Sequence, residues 1–173
     1  MTAAPSSEPT ADASTSRVSI VVAVYNERDS LRTLAAEITA AMDALPHAWE
    51  VLLVDDGSTD GSRAIEAELH AADPRFRVVQ LRRNFGKAAA MSTGFRLATG
   101  DIVVTMDADL QDDPAGIRDL IAPILDGSAD LVSGWKYPRR DPLGKRLPSK
   151  LYNTVTRVAS GVDLHDMNCG FKA

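Results

Sequence analysis

Five short apolar runs alternate with segments of helical periodicity, and this alternation constrains the fold of the 173-residue chain more than any other feature. The runs are predicted strands and cover residues 17–24, 49–54, 76–81, 101–106 and 129–133. Each run is followed by a segment whose apolar residues recur every three or four positions, as on the buried face of a helix. This order is typical of a doubly wound, mostly parallel sheet. We therefore predict an α/β, Rossmann-like fold with helices on both faces of the sheet.

The fourth apolar run ends in two carboxylates, Asp107 and Asp109, which flank Ala108. Side chains alternate along an extended chain, so both acids are predicted to point the same way. Open α/β sheets bind ligands at the carboxyl ends of their strands. Two carboxylates, with the amide oxygen of Gln111, suit Mg²⁺ or Mn²⁺ shared with the phosphates of a substrate. The alternative is structural, because acidic residues also end strands and begin helices, and so short a motif is weak by itself.

Polar residues also follow the first two predicted strands. Asn26 is predicted to cap the first helix, and Glu27 either faces the helix dipole or belongs to a nucleotide site. In the nucleotide interpretation, Tyr25 lies beside the base and Glu27 near the ribose or base. Asp55 could accept a hydrogen bond from a base N–H, whereas Asp56 could equally shape the turn that follows.

Basic residues are concentrated in one part of an otherwise acidic chain. Residues 135–160 contain seven basic residues and one acid, a net charge of +6, although the whole chain carries −5. This segment, with its predicted amphipathic helix at 146–160, indicates either an anionic partner such as phosphate, diphosphate or anionic lipid, or a packed helix with a solvated basic face. Lys87, before the third predicted helix, either meets a phosphate or is an exposed lysine. The acidic balance argues against a general nucleic-acid binder.

Composition and segment lengths set the domain organisation. Residues 1–16 are rich in Ala, Ser, Thr and Pro without apolar periodicity, so we predict a disordered tail before a single domain at 17–173. The chain lacks an apolar run long enough to span a membrane and lacks a secretory signal, so we expect it to be soluble by itself. Its one cysteine, Cys169, excludes an intramolecular disulfide and fits a reducing compartment.

Four motifs in register resemble glycosyltransferase family 2. They are Ala-Val-Tyr-Asn-Glu at 23–27, Val-Asp-Asp-Gly-Ser-Thr-Asp-Gly at 54–61, Arg-Asn-Phe-Gly-Lys at 83–87 and Met-Asp-Ala-Asp-Leu-Gln-Asp at 106–112. The most similar group is the polyprenyl-phosphate glycosyltransferases around dolichol-phosphate mannose synthase. This resemblance implies a GT-A fold, a nucleotide-sugar donor, Mg²⁺ or Mn²⁺ as cofactor, and inversion at the anomeric carbon.

The resemblance also assigns roles to individual residues. The implied metal ligands are Asp107, Asp109 and Gln111. Arg139 or Arg140 would bind the diphosphate or the acceptor phosphate, and both are expected to act with Asp109 in catalysis. The residues implied at the nucleotide sugar are Ala23, Tyr25, Glu27, Asp55, Lys87, Asp107 and Ala108.

The implied reaction moves a sugar from a UDP- or GDP-sugar to a polyprenyl (undecaprenyl or dolichyl) phosphate at the cytoplasmic face of the cell membrane. Family members usually continue beyond the segment that matches residues 168–172, so we expect the catalytic domain to be incomplete here and the full-length protein to be membrane-anchored. Three alternatives stay open. They are a nucleotide-sugar-binding fragment without catalysis, a family 2 transferase that acts on a saccharide hydroxyl with Asp166 as base, and an Asp-x-Asp phosphatase with Asp107 as nucleophile.

Overall fold

The computed structural model describes residues 16–134 and 170–173, and its centre is a parallel sheet of four strands. The strands are β1 (Arg17–Val24), β2 (Ala48–Asp55), β3 (Phe76–Gln80) and β4 (Ile102–Asp107), in the order β3-β2-β1-β4. The register pairs Val24 with Asp55 and Ala23 with Asp107. The polar residues that follow β1, β2 and β4 therefore lie at one edge of the sheet, as the sequence predicts.

Helices cover both faces of this sheet, which confirms the predicted architecture. They are α1 (Leu31–Asp43), α2 (Ser62–Ala72), α3 (Lys87–Leu97) and α4 (Ile117–Leu125), with a 3₁₀ turn at Pro114–Gly116 before α4. On one face α3 packs against β1 and β2, where Ala90 meets Val21 and Leu52. The larger core, with α1, α2 and α4, lies on the other face. Burial on both faces explains why the strands read as continuous apolar runs.

The predicted fifth strand at 129–133 is wrong in its extent, although its direction is parallel to β4, because both pair antiparallel with Lys172. Only Ser133 forms a bridge, and it forms it antiparallel to Lys172, which also bridges Thr105 of β4. Residues 171–173 therefore run antiparallel between β4 and residues 132–134. The backbone bonds between Val132 and Ala173, at 2.8 and 2.9 Å, close this pairing. A short apolar run does not reveal its partner or direction, which depend on residues distant in sequence.

The first helix begins later than predicted. Asn26 does not cap it, because α1 starts at Leu31 and Asn26 has a positive φ of 57°. Its side-chain oxygen instead accepts a hydrogen bond from the Thr59 N–H at 2.8 Å. The asparagine therefore joins two loops rather than ending one helix, which a local capping pattern does not distinguish.

Two predicted segments lie outside the described residues: the tail at 1–16, apart from Ser16, and the basic helix at 146–160. In the described part of the chain, every helix is too short or too polar to cross a membrane.

Candidate active site

A cavity of about 280 Å³ opens at the carboxyl edge of the sheet. Its walls come from the ends of β1, β2 and β4 and from the loop before α3. The lining residues are Ala23, Val24, Tyr25, Glu27, Asp56, Asn84, Gly86, Lys87, Asp107, Ala108 and Asp109. The structure thus brings together seven of the residues assigned from sequence, drawn from segments more than 80 positions apart. The cavity lies where open α/β sheets bind their ligands, beyond the carboxyl ends of the strands.

The loop that carries Tyr25 and Glu27 is fixed by the turn after β2. The N–H of Asn26 donates to the Ser58 hydroxyl at 2.9 Å, and the N–H of Glu27 donates to the Ser62 hydroxyl at 3.0 Å. These bonds satisfy backbone groups that no helix or strand uses. The hydroxyl groups of the 58–62 segment therefore position the cavity wall, a role that the sequence did not reveal.

Asp56 connects the same turn to the loop before α3. Its two carboxylate oxygens accept the N–H groups of Phe85 and Gly86 at 2.7 and 2.8 Å. Gly57 has φ of 79°, and a Cβ there would lie 2.5 Å from the carbonyl carbon of Arg83. Only glycine permits this approach. Asp56, which the sequence predicted could shape the turn after β2, thus shapes the loop that delivers Lys87 to the cavity.

Asp55 lies beside the cavity rather than in its wall. It is fully buried, and its oxygens accept the N–H of Ser58 at 2.8 Å and the Nε–H of Arg63 at 2.6 Å. Arg63 also donates to the carbonyl of Leu81 at 3.1 Å, which ties α2 to the end of β3. Both carboxylate oxygens of Asp55 therefore already have partners, and contact with a nucleotide base stays a prediction.

Asp107 and Asp109 both line the cavity, and so does Ala108 between them, because β4 ends at Asp107 and the backbone bends at 108–110. The chain turns directly after them, since Leu110 has φ of 61°. The N–H of Asp107 donates to the buried carboxylate of Asp112 at 3.3 Å, and Asp109 accepts the N–H of Gln111 at 3.1 Å. Gln111 itself is exposed and lies outside the cavity wall.

The ammonium group of Lys87 forms an ion pair with the Asp107 carboxylate. Lys87 is the first residue of α3, so its charge stands at the sheet edge beside the helix N-terminus. Its side chain is 56% exposed, yet it is paired and is not a freely solvated surface lysine. A cation thus already contacts one of the three predicted metal ligands.

The carboxylates present fit a metal that is shared with a substrate. Among residues 16–134 and 170–173, no group of three His, Cys, Asp or Glu side chains is close enough to hold a metal ion alone. Two carboxylates at an open cavity are nevertheless what Mg²⁺ commonly uses, because it keeps several waters and takes its other ligands from phosphates. Asp107 and Asp109 supply that set.

The sequence of this site matches a known family over most of its length. The model of the family described as glycosyl transferase family 2 covers residues 19–172. The chain belongs to glycosyl transferase family 2. The resemblance drawn from the four motifs is therefore confirmed.

Curated relatives of this family 2 chain act on polyprenyl phosphates according to their names. A dodecaprenyl-phosphate galacturonate synthase from Rhizobium johnstonii is 39% identical over 90% of the chain and 46% of its own length. An undecaprenyl-phosphate 4-deoxy-4-formamido-L-arabinose transferase from Pseudomonas syringae is 41% identical over 90% of the chain and 46% of its own length. The chain spans about half the length of these relatives.

Solved structures of similar shape are GT-A fold glycosyltransferases, which confirms the GT-A fold. Mannosyl-3-phosphoglycerate synthase from Rubrobacter xylanophilus has a TM-score of 0.72 at 21% identity, over 91% of this chain and 53% of its own. A mannosyltransferase from Pyrobaculum calidifontis, in complex with GDP-mannose and Mn²⁺, has a TM-score of 0.60 at 30% identity, over 72% of this chain and 37% of its own. Family membership and fold both disfavour the phosphatase alternative for Asp107.

Some predicted and observed site residues do not coincide. Arg139 and Arg140 lie outside the described residues, so their roles stay predictions. Four lining residues were not assigned from sequence: Val24, Asp56, Asn84 and Gly86. Asn84 and Gly86 belong to the same motif as Lys87, and this proximity in sequence could have predicted that they line the cavity.

Proposed function

We propose that this chain forms the donor-binding part of an inverting glycosyltransferase that moves a sugar from a UDP- or GDP-sugar to a polyprenyl phosphate. The observation that carries the proposal is the cavity at the sheet edge, where Asp107, Asp109 and Lys87 meet residues of the β1 end. The 39% and 41% identities to polyprenyl-phosphate sugar transferases support the choice of acceptor.

In this proposal the nucleoside lies along the end of β1. Ala23 leaves space for it, the half-exposed ring of Tyr25 faces the base, and Glu27 reaches the ribose or base. Asp55 would accept a base N–H alongside its present bonds to Ser58 and Arg63, because a carboxylate can accept more than two hydrogen bonds. The diphosphate then lies toward α3, where Lys87 and the helix N-terminus both favour negative charge.

Asp107 and Asp109, with Gln111, would hold a divalent metal, Mg²⁺ or Mn²⁺. Such a metal offsets the negative charge that develops on the leaving nucleoside diphosphate. Lys87 would add to this stabilisation directly. Arg139 and Arg140 would do so as well, because a guanidinium grips phosphate oxygens with two hydrogen bonds.

The acceptor is a lipid phosphate whose oxygen is already ionised at neutral pH, so the reaction needs no strong general base. An acceptor oxygen attacks the anomeric carbon opposite the diphosphate. The new carbon–oxygen bond forms as the bond to the diphosphate breaks, and the leaving oxygen keeps the electron pair. Catalysis then consists of placement and charge stabilisation.

Since the acceptor is a membrane lipid and the donor a soluble nucleotide sugar, we propose that the reaction takes place at the cytoplasmic face of the membrane.

The test is calorimetric titration of UDP-glucose and GDP-mannose, with and without Mn²⁺. We expect binding of one donor that depends on Mn²⁺, which would identify the base. Absence of binding by both donors, under conditions where thermal unfolding shows a folded protein, would count against the proposal.

Replacing Asp109 with Asn should weaken metal-dependent donor binding about 100-fold or more, because a carboxylate ligand becomes a neutral amide. Asp119→Asn is the matched control, since Asp119 is an exposed carboxylate on α4 away from the cavity. Equal affinities for the two variants would refute the metal assignment.

A further inference from the structure

We propose that Gly170 is a positioning residue for the donor site, because it leaves the space in which the Asp107 carboxylate sits. The inference rests on the proposed function and extends it to the end of the described chain. It makes residues 170–173 a support behind Asp107 rather than only an extra strand of the sheet.

The segment that contains Gly170 is held from both sides. The Thr105 hydroxyl donates to the Gly170 carbonyl at 2.6 Å, and the Thr105 N–H donates to the Lys172 carbonyl at 2.7 Å. On the other side, the Gly134 N–H donates to the Phe171 carbonyl at 2.8 Å. Hydrogen bonds to two neighbouring segments leave the backbone at Gly170 little freedom to retreat from β4.

Phe171 adds an apolar anchor next to Gly170. This residue is 9% exposed and belongs to the main core. It packs so closely on the 3₁₀ turn before α4 that a Cβ on Gly116 would lie 3.2 Å from it. Because a close-packed core resists displacement, this ring fixes the depth at which the preceding residue lies.

Gly170 lies directly against the carboxylate of Asp107. A Cβ on Gly170 would be 2.9 Å from Oδ2, 3.0 Å from Oδ1 and 3.1 Å from Cγ of Asp107. These separations are shorter than the 3.5–4.0 Å of favourable contacts between non-bonded heavy atoms. Any side chain at position 170 therefore competes for space with the carboxyl group.

The backbone conformation does not explain the glycine. Gly170 is not among the described glycines with positive φ, which are Gly57, Gly61, Gly86 and Gly127. An alanine would therefore be tolerated by the local backbone. What it would displace is the free end of the Asp107 side chain, because the segment itself is anchored.

Asp107 is thus confined between two neighbours. Lys87 contacts its Oδ1 from the cavity side, and a Cβ on Gly170 would lie within 3.1 Å of Oδ1, Oδ2 and Cγ. Moving the carboxylate by a fraction of an ångström changes the geometry offered to a metal and a diphosphate. Changes in the residues that orient a metal ligand typically cost 10- to 100-fold in metal affinity.

The test compares Gly170→Ala with Gly116→Ala in the 173-residue protein. Both changes add one methyl group against the same anchored segment, but only the first meets Asp107. We expect Gly170→Ala to weaken Mn²⁺ binding, followed by electron paramagnetic resonance, about 10-fold, and Gly116→Ala to leave it within twofold. In a crystal structure of Gly170→Ala, the Asp107 carboxylate should move by about 0.5 Å or more.

The outcomes separate this inference from the proposed function. If the wild-type protein does not bind Mn²⁺, the proposed function fails, and the crystal structure still decides the position of Asp107. If the wild type binds Mn²⁺ and Gly170→Ala binds it equally, with the carboxylate unmoved, the inference is overturned and the function stands. If Gly170→Ala does not fold, adding Asp107→Ala removes the collision and should restore the melting temperature; no restoration also overturns the inference.

Discussion

At the amino end of the sheet, the buried carboxylate of Glu50 has a partner on every side. Glu50 of β2 is 1% exposed and accepts hydrogen bonds from Ser19 of β1 at 2.7 Å and from Arg77 of β3 at 2.7 Å. The N–H and hydroxyl of Thr99, before β4, donate to it at 2.9 and 2.7 Å. One side chain thus joins three strands to the segment that precedes β4.

At the carboxyl end, the acids of the cavity have fewer partners. Asp107 and Asp109 face the cavity, and Lys87 is the only cation among the described lining residues. Negative charge gathered with so little compensation costs stability unless a ligand supplies the missing cation. We infer that a fully hydrogen-bonded carboxylate such as Glu50 stabilises the fold, whereas Asp107 and Asp109 are available for binding a ligand.

The pKa of Glu50 reflects the hydrogen bonds that its carboxylate accepts. Burial by itself raises it, but the hydrogen bonds from Arg77, Ser19 and Thr99 outweigh burial and lower the pKa to about 2. A carboxyl group with a lowered pKa in the folded state contributes stability above its unfolded pKa. That contribution is lost as the pH falls from about 4.5 through about 2.

The largest expected effect is therefore at Glu50. Glu50→Ala should lower the free energy of unfolding by about 3–5 kcal/mol, because it leaves buried donors and Arg77 without their acceptor. Chemical denaturation at pH 7 measures this loss. Glu37→Ala, at an exposed position of α1, should change stability by less than about 1 kcal/mol. Similar losses in both variants would remove the distinction between the two ends of the sheet.

Glu66 differs from both groups of carboxylates, because it is buried but has no hydrogen-bond partner in the described part of the chain. It lies on α2 and is 0% exposed, and neither of its carboxylate oxygens has a hydrogen-bond partner among residues 16–134 and 170–173. Burial raises its pKa to about 8, the charges of Asp55 and Asp60 act in the same direction, and Arg63 opposes them. The group is thus protonated in the folded protein at pH values where it is ionised in the unfolded chain.

This predicts a pH dependence opposite to that of Glu50. Stability from Glu66 is complete below its unfolded pKa of about 4.5 and is lost as the pH rises toward 8, at up to about 1.4 kcal/mol per pH unit. Glu66→Gln, which cannot ionise, should lie within about 1 kcal/mol of the wild type at pH 5 and exceed it by about 3–4 kcal/mol at pH 7.5. Denaturation series at both pH values measure the gap.

Glu68→Gln is the control for this comparison. Glu68 lies on the same helix, two residues further on, but is 60% exposed and pairs with Arg32 at the surface. Glu68→Gln should therefore show the same slope of unfolding free energy against pH as the wild type. A wild-type slope that survives in Glu66→Gln would show that another group is responsible.

Much of the fold could be predicted because the local pattern and the global structure agree. The alternation of apolar runs and helical stripes gave β1 to β4 and α1 to α4, with boundaries that differ by a few residues. The two faces of the parallel sheet are both buried, so each strand carried a strong signal. The antiparallel pairing of residues 171–173 had no such signal, because it depends on β4 and on residues 132–134 at once.

The site was predictable for a similar reason, and its limits have the same physical cause. Asp107 and Asp109 follow a buried strand, which marks them as edge carboxylates. Whether an acid at such an edge faces the cavity or the interior depends on contacts across loops. Asp55 and Asp56 are adjacent in sequence, yet Asp55 holds Ser58 and Arg63 whereas Asp56 holds the loop at 85–86.

The smallest of these effects, and the one that sharpens the comparison most, concerns Lys87. Because its ammonium group contacts Asp107, it competes with a metal ion for that carboxylate when no donor is bound. Lys87→Met should therefore strengthen binding of Mn²⁺ alone severalfold, while it weakens binding of the nucleotide-sugar donor about 10-fold, or about 1.4 kcal/mol, by removing a phosphate partner. Electron paramagnetic resonance and calorimetry measure the two affinities. Arg96→Met, which removes an exposed cation elsewhere on α3, should change neither. If Lys87→Met weakens both affinities, the lysine stabilises the structure of the site and does not compete with a metal ion for Asp107.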